Sequence, residues 1–110
     1  MRVADYVSQG LKNLVEEPPE GYQTLGKCTS GCHSVTFFIR GTPDSVKDIR
    51  VKATRRCKKL LAVVDFVAEK IRERGKVYLD EGEVLSFFSE EKEQDKLKDR
   101  LSIVRSALGL

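Results

Sequence analysis

Three cysteines and the single histidine are the residues of this 110-residue chain whose types and spacing suit chemistry. Cys28 and Cys32 stand four positions apart around Thr29-Ser30-Gly31, and His33 follows Cys32 directly. Cys57 lies much later, in Thr54-Arg55-Arg56-Cys57-Lys58-Lys59, where four cations fall within two positions of one thiol. Three thiolates and one imidazole match a Cys3His set for tetrahedral zinc, and soft thiolates equally suit iron–sulfur clusters. The candidate metal ligands are therefore Cys28, Cys32, Cys57 and His33, for an iron–sulfur cluster or zinc. The surroundings of Cys57 add a second chemistry. Cations at a helix start oppose its partial positive charge, at about 0.3–1 kcal/mol each when exposed. An anion offsets that cost: a thiolate, a negatively charged cluster or a phosphate. This makes Arg55, Arg56, Lys58 and Lys59 candidate anion- or partner-binding residues, and Cys57 a thiol of lowered pKa.

Plainer readings stand beside these. A lone buried cysteine usually serves as a small hydrophobe. The Cys28/Cys32 spacing is looser than a CxxC knuckle, a loop histidine needs no role, and a charge run is usually solvated surface.

The elements that must position these residues follow from periodicity. Val3, Val7, Leu11 and Leu14 share a helical face, predicting a helix over about residues 4–15, stopped by Pro18 and Pro19. A short strand is expected over residues 22–26. Val35, Phe37 and Ile39 alternate with Thr36, Phe38 and Arg40, then Gly41-Thr42-Pro43-Asp44 supplies a turn. Ile49, Val51 and Ala53 alternate with Arg50, Lys52 and Thr54, completing a hairpin with one apolar and one charged face. Leu60, Val64, Val67 and Ile71 mark a helix ending near Arg74-Gly75. Asp80 is placed to cap a short helix carrying Val84, Leu85, Phe87 and Phe88. The run from Glu90 to Lys96 reads as solvated surface, and Leu97, Leu101, Val104 and Leu108 mark a last helix. Helix, two or three antiparallel strands, then three helices make a single α+β domain over residues 1–110, with helices on one face of a small sheet. Residues 32 and 57 are about equally far from the turn near Pro43, so their thiols are expected at one end of that sheet.

Composition limits the setting. A 40% hydrophobic and 34% charged chain is too apolar for disorder, and it offers no apolar run long enough for a membrane or a secretion signal. An odd cysteine count without an export signal points to reduced thiols and a cytoplasmic protein. Abundant Lys, Arg and Glu with no Trp is compatible with a thermophilic source.

The order of elements and the motif positions resemble the NifU/IscU-type iron–sulfur cluster assembly scaffolds. Cys32-His33-Ser34 sits where that family has Cys-Gly-Asp leading into its β-meander. Asp48-Ile49-Arg50-Val51-Lys52-Ala53-Thr54 followed by Cys57 is similar to the strand end and second cysteine that open the family's helix. Glu17-Pro18-Pro19-Glu20-Gly21 resembles the proline-containing stretch before the first cysteine, and residues 97–108 resemble the last helix. The resemblance spans roughly residues 15–110, in pattern more than identity. Ser34 replaces the family aspartate linked to cluster release. Lys58-Lys59-Leu60-Leu61 replaces the small-residue run after the second cysteine. Lys96 to Asp99 stand where a histidine and third cysteine open the last helix, so Cys28 and His33 are the candidates for the missing ligand.

What the resemblance implies is a non-catalytic scaffold or carrier, taking sulfur as a persulfide, with Cys57 the better acceptor. Its partners would be a cysteine desulfurase and acceptor apoproteins, and no membrane is implied. The alternative is a nucleic-acid-binding domain using Arg50, Lys52, Arg55, Arg56, Lys58 and Lys59, with Phe38 as an outward stacking platform. Its pI of about 8.8 is mild for that role, and no RNP1 or GXXG signature is present. An enzyme with Cys57 as nucleophile and His33 as base, and an adaptor docking through Phe87-Phe88, complete the readings.

Overall fold

The computed structural model describes residues 1–110. Helix α1 (Val3–Ser8) precedes strands β1 (Gln23–Ser30), β2 (His33–Thr42) and β3 (Ser45–Ala53); helices α2 (Lys58–Arg74), α3 (Glu81–Phe87) and α4 (Gln94–Leu108) follow. The strands form one antiparallel meander in the order β1-β2-β3. Helix α2 packs on β3, and α4 crosses β1 and β2. The expected α+β architecture is thus observed, with three strands.

The central register follows from alternation. Val35, Phe37 and Ile39 face the helices, and Ile49 and Val51 join them from β3; all are at most 1% exposed. They belong to one core of 23 buried residues that reaches from Val3 to Leu108. Helix α2 is buried almost all round over its first three turns, because the sheet, α1 and α4 enclose it. Its end matches the expectation: Gly75 takes the left-handed conformation (φ +78°) and donates to the Ile71 carbonyl at 2.7 Å. Asp80 caps α3, accepting from the Glu83 amide at 3.1 Å.

Four expectations are corrected. The first helix stops at Ser8 rather than near residue 15. Gly10 turns the chain at φ +98°, and the following residues find stronger partners elsewhere. Lys12 and Asn13 donate their amides to Asp65, while Asn13 and Val15 bond to Val51 along the open edge of β3. Strand β1 runs on to Ser30 rather than ending near Gly26, so Cys28 is a strand residue. Phe38 is covered, at 5% exposure, between cross-strand neighbours Thr24 and Arg50. It offers no stacking surface. The acidic run is not wholly solvated either: Glu91 accepts from the Val3 amide at 2.9 Å and pairs with Lys59 at 3.2 Å. A carboxylate at the end of α1's free amides is electrostatically favoured, which draws it inward.

Phe87 and Phe88 both turn into the structure. Phe88 is fully buried, and Phe87 stacks on Phe66 with ring centroids 4.4 Å apart. Tyr6 meets both edge-on, leaving neither ring free for docking.

Candidate functional site: a thiol in a cationic cleft

Cys57 ends the β3-to-α2 connection. Thr54 locks that connection to the start of β2, donating its amide to the Ser34 carbonyl at 3.0 Å while its Oγ1 accepts from the Ser34 amide at 2.9 Å. Two residues of turn follow, and Cys57 takes the N-cap position of α2 in an extended conformation. Its half-buried side chain faces α4, where Arg100 Nε donates to Sγ at 3.3 Å. Arg100 is itself held by Asp99 at 2.5 Å.

Burial pushes the Cys57 thiol up, but the Arg100 hydrogen bond, the first-turn amides of Leu60 and Lys59, and the Arg100 charge outweigh it. The net result is a thiol below its ordinary range. The amides act by proximity, since no capping hydrogen bond to the side chain closes. Arg100 shifts upward in turn, chiefly through the same hydrogen bond. The fraction of thiolate at neutral pH is accordingly larger than for a free cysteine.

The thiol opens on a cleft of about 420 Å³. Arg2, Arg56, Lys58, Lys59, Lys96 and Arg100 line it, against one carboxylate, Glu91. Lys59 pairs with Glu91 and Glu93, Lys96 with Glu93, and Arg100 with Asp99. Arg2, Arg56 and Lys58 enter no ion pair.

The sequence candidates divide between this cleft and its neighbourhood. Arg56, Lys58 and Lys59 line the cleft, whereas Arg55 turns away to Glu16 at 2.6 Å. Cys28 sits opposite Val35 in β1 and packs, half-buried, against the core. Cys32 is exposed in the tight turn between β1 and β2, with Sγ 3.9 Å from His33 Nδ1. Val35 is paired with both Cys28 and Ala53, so all three thiols lie toward the same end of the sheet. All three are free, and no three His, Cys, Asp or Glu side chains are grouped to hold a metal ion.

Arg2, Lys96 and Arg100 were not legible as site residues. Arg100 had a faint signal: it borders the Leu97, Leu101, Val104 stripe, where a long cation reaches past the helix edge. Arg2 had none, because its place depends on the Met1 amine bonding to the Phe87 carbonyl at 3.0 Å, 86 residues away.

Arg100→Met keeps length and removes charge. Alkylation of Cys57 by iodoacetamide near neutral pH is expected to slow about three- to tenfold, with the midpoint of its pH profile moving up toward an ordinary thiol. An unchanged profile would show that Arg100 does not set the thiolate.

Compared with family models and with curated protein sequences, the chain matches none.

Proposed function

We propose that this chain is a sulfur-accepting scaffold or carrier of iron–sulfur cluster assembly, of the NifU/IscU type, with Cys57 as the acceptor. One observation carries the reading: a thiol of lowered pKa stands at a strand-to-helix junction, held by Arg100 and open to a cleft. The order of elements and the position of Cys57 after Lys52-Ala53-Thr54 support it. The chemistry is thiol exchange. The Cys57 thiolate attacks the outer sulfur of a desulfurase persulfide, a new S–S bond forms, and the desulfurase thiolate leaves with the old bond's electrons. Cys57 then carries the sulfur to an acceptor apoprotein. Such chemistry belongs to a reducing compartment such as the cytoplasm, and no helix is long and apolar enough to cross a membrane.

Iron, in this reading, is cargo. Cys28, Cys32, Cys57 and His33 are its candidate ligands, but the arrangement described does not group three of them. The transfer step above uses Cys57 alone. The nucleic-acid alternative loses two supports: Phe38 is covered, and Arg50 and Arg55 are paired with Asp48 and Glu16.

The test is to incubate the reduced protein with a cysteine desulfurase and cysteine, then locate sulfane sulfur by mass spectrometry. Sulfur on Cys57, absent in Cys57→Ser, is the expected result. Loading that persists in Cys57→Ser would remove Cys57 from the role. Anaerobic purification with iron, zinc and acid-labile sulfide analysis then separates carriers of cluster from carriers of sulfur alone.

A further inference from the structure

Beyond a protein donor, the cleft itself has the makings of a small-molecule site. Its cations come from three separate parts of the chain: Arg2 before α1, Arg56 and Lys58 on either side of Cys57, and Lys96 and Arg100 on α4. The N-terminal wall is fixed rather than loose. The Met1 amine bonds to Phe87 and Glu90, and the Val3 amide bonds to Glu91. The volume of about 420 Å³ lies near the lower end for small-ligand sites. Arg56 and Lys58 enter no ion pair, and Arg2 makes none within 4 Å although it also borders Glu90, Glu91 and Glu93; the cleft thus keeps a positive excess that a compact, multiply charged anion would neutralise. The remaining reactive group on the wall is the sulfur of Cys57.

We propose that the cleft takes a small oxyanion carrying a sulfane sulfur, of which thiosulfate is the simplest, and passes that sulfur to Cys57. Arg2, Arg56 and Lys58 hold the sulfonate end, and the outer sulfur meets Cys57 Sγ. The thiolate attacks that outer sulfur; one S–S bond forms to Sγ, and the S–S bond to the sulfonate breaks. Sulfite departs with the electron pair, leaving Cys57 as a persulfide anion. Charge is conserved, and neither an oxidant nor a reductant is consumed. The cations favour the step twice, by drawing in the dianion and by stabilising sulfite as it leaves. The inference rests on the reading of Cys57 as a sulfur acceptor, and adds a donor that needs no partner protein.

The experiment mixes the reduced protein with thiosulfate alone and follows sulfite release and the intact mass. One sulfite per protein and one added sulfur atom, located on Cys57 and absent in Cys57→Ser, are expected. The double variant Arg56→Ala/Lys58→Ala should lose about tenfold or more in rate with thiosulfate. Its rate with neutral iodoacetamide, which reports the thiol alone, should fall much less. Inorganic sulfate should slow the thiosulfate reaction and leave alkylation unchanged. Equal losses with both reagents would overturn the proposal, since the cations would then act only on the thiol. Loading by a desulfurase but not by thiosulfate would overturn the small-molecule donor and leave the carrier reading intact. Loading by neither would sink both.

Discussion

Asp65→Ala is expected to cost about 3 kcal/mol of folding stability, read as a lower urea midpoint at unchanged slope. Asp65 sits within α2 at 1% exposure, with nothing apolar about its own chemistry to justify that burial. Its carboxylate is occupied instead. Oδ1 accepts from the Lys12 amide at 2.9 Å, the Asn13 amide at 2.8 Å and Asn13 Nδ2 at 3.2 Å, while Oδ2 accepts from Tyr6 at 2.7 Å. Burial, then the hydrogen bond to Asp65, raises the Tyr6 phenol well above its ordinary range, so it remains a donor. Alanine would strand the Lys12 and Asn13 amides and the Tyr6 hydroxyl at once, while Asn13 Nδ2 keeps the Asp65 carbonyl and Glu69 as acceptors; each unsatisfied group costs on the order of 1–3 kcal/mol. Partial relaxation and water entry bring the sum down to the value given. Asp65→Asn keeps an acceptor for the amides, and should lose only about 1 kcal/mol. An alanine variant within about 0.5 kcal/mol of the parent would mean that the loop over residues 10–15 does not depend on this anchor.

Gly26→Ala should be comparably damaging, at about 3 kcal/mol, despite adding a single methyl group. Gly26 lies at a bulge in β1, directly under the Ala107 backbone of α4. A Cβ there would stand 2.2 Å from the carbonyl oxygen of Ala107 and 3.2 Å from its carbonyl carbon. Both are backbone atoms, so no rotamer change relieves the clash and α4 must move. Ala107→Gly therefore should not rescue the variant, which separates this cause from side-chain overpacking. The displacement also reaches the cleft, because α4 carries Arg100: the pH midpoint of Cys57 alkylation should rise along with the loss of stability. A destabilised variant with an unshifted midpoint would show that the strain is absorbed in β1 alone.

Both results depend on contacts that no local pattern announces. The sequence marks Asp65 only as a polar residue interrupting Val63, Val64, Phe66 and Val67, and Gly26 only as a strand breaker. The partners that make them critical lie 52 and more residues away. The same contrast holds for the first helix. Leu11 and Leu14 have the right spacing to continue it, but the open edge of β3 and the carboxylate of Asp65 satisfy the backbone of Lys12, Asn13 and Val15 better than another helical turn would.

The candidate site divides along the same line. Cys57 among cations at a helix start was legible from six consecutive residues, because a strand period of two gives way there to a helical period. The β2–β3 hairpin, the Gly75 and Asp80 caps and the apolar stripes of α2 and α4 were equally local, since each rests on the backbone preferences and burial pattern of neighbouring residues. Tertiary structure alone decided that Arg100 would reach the thiol, that Arg2 would close the cleft, that Arg55 would leave it for Glu16, and that Phe38 would be covered. These outcomes depend on where elements far apart in the chain come to rest against one another. That is set by the packing of the whole core, in which hydrophobic burial acts without direction and only the final fit selects which charges meet.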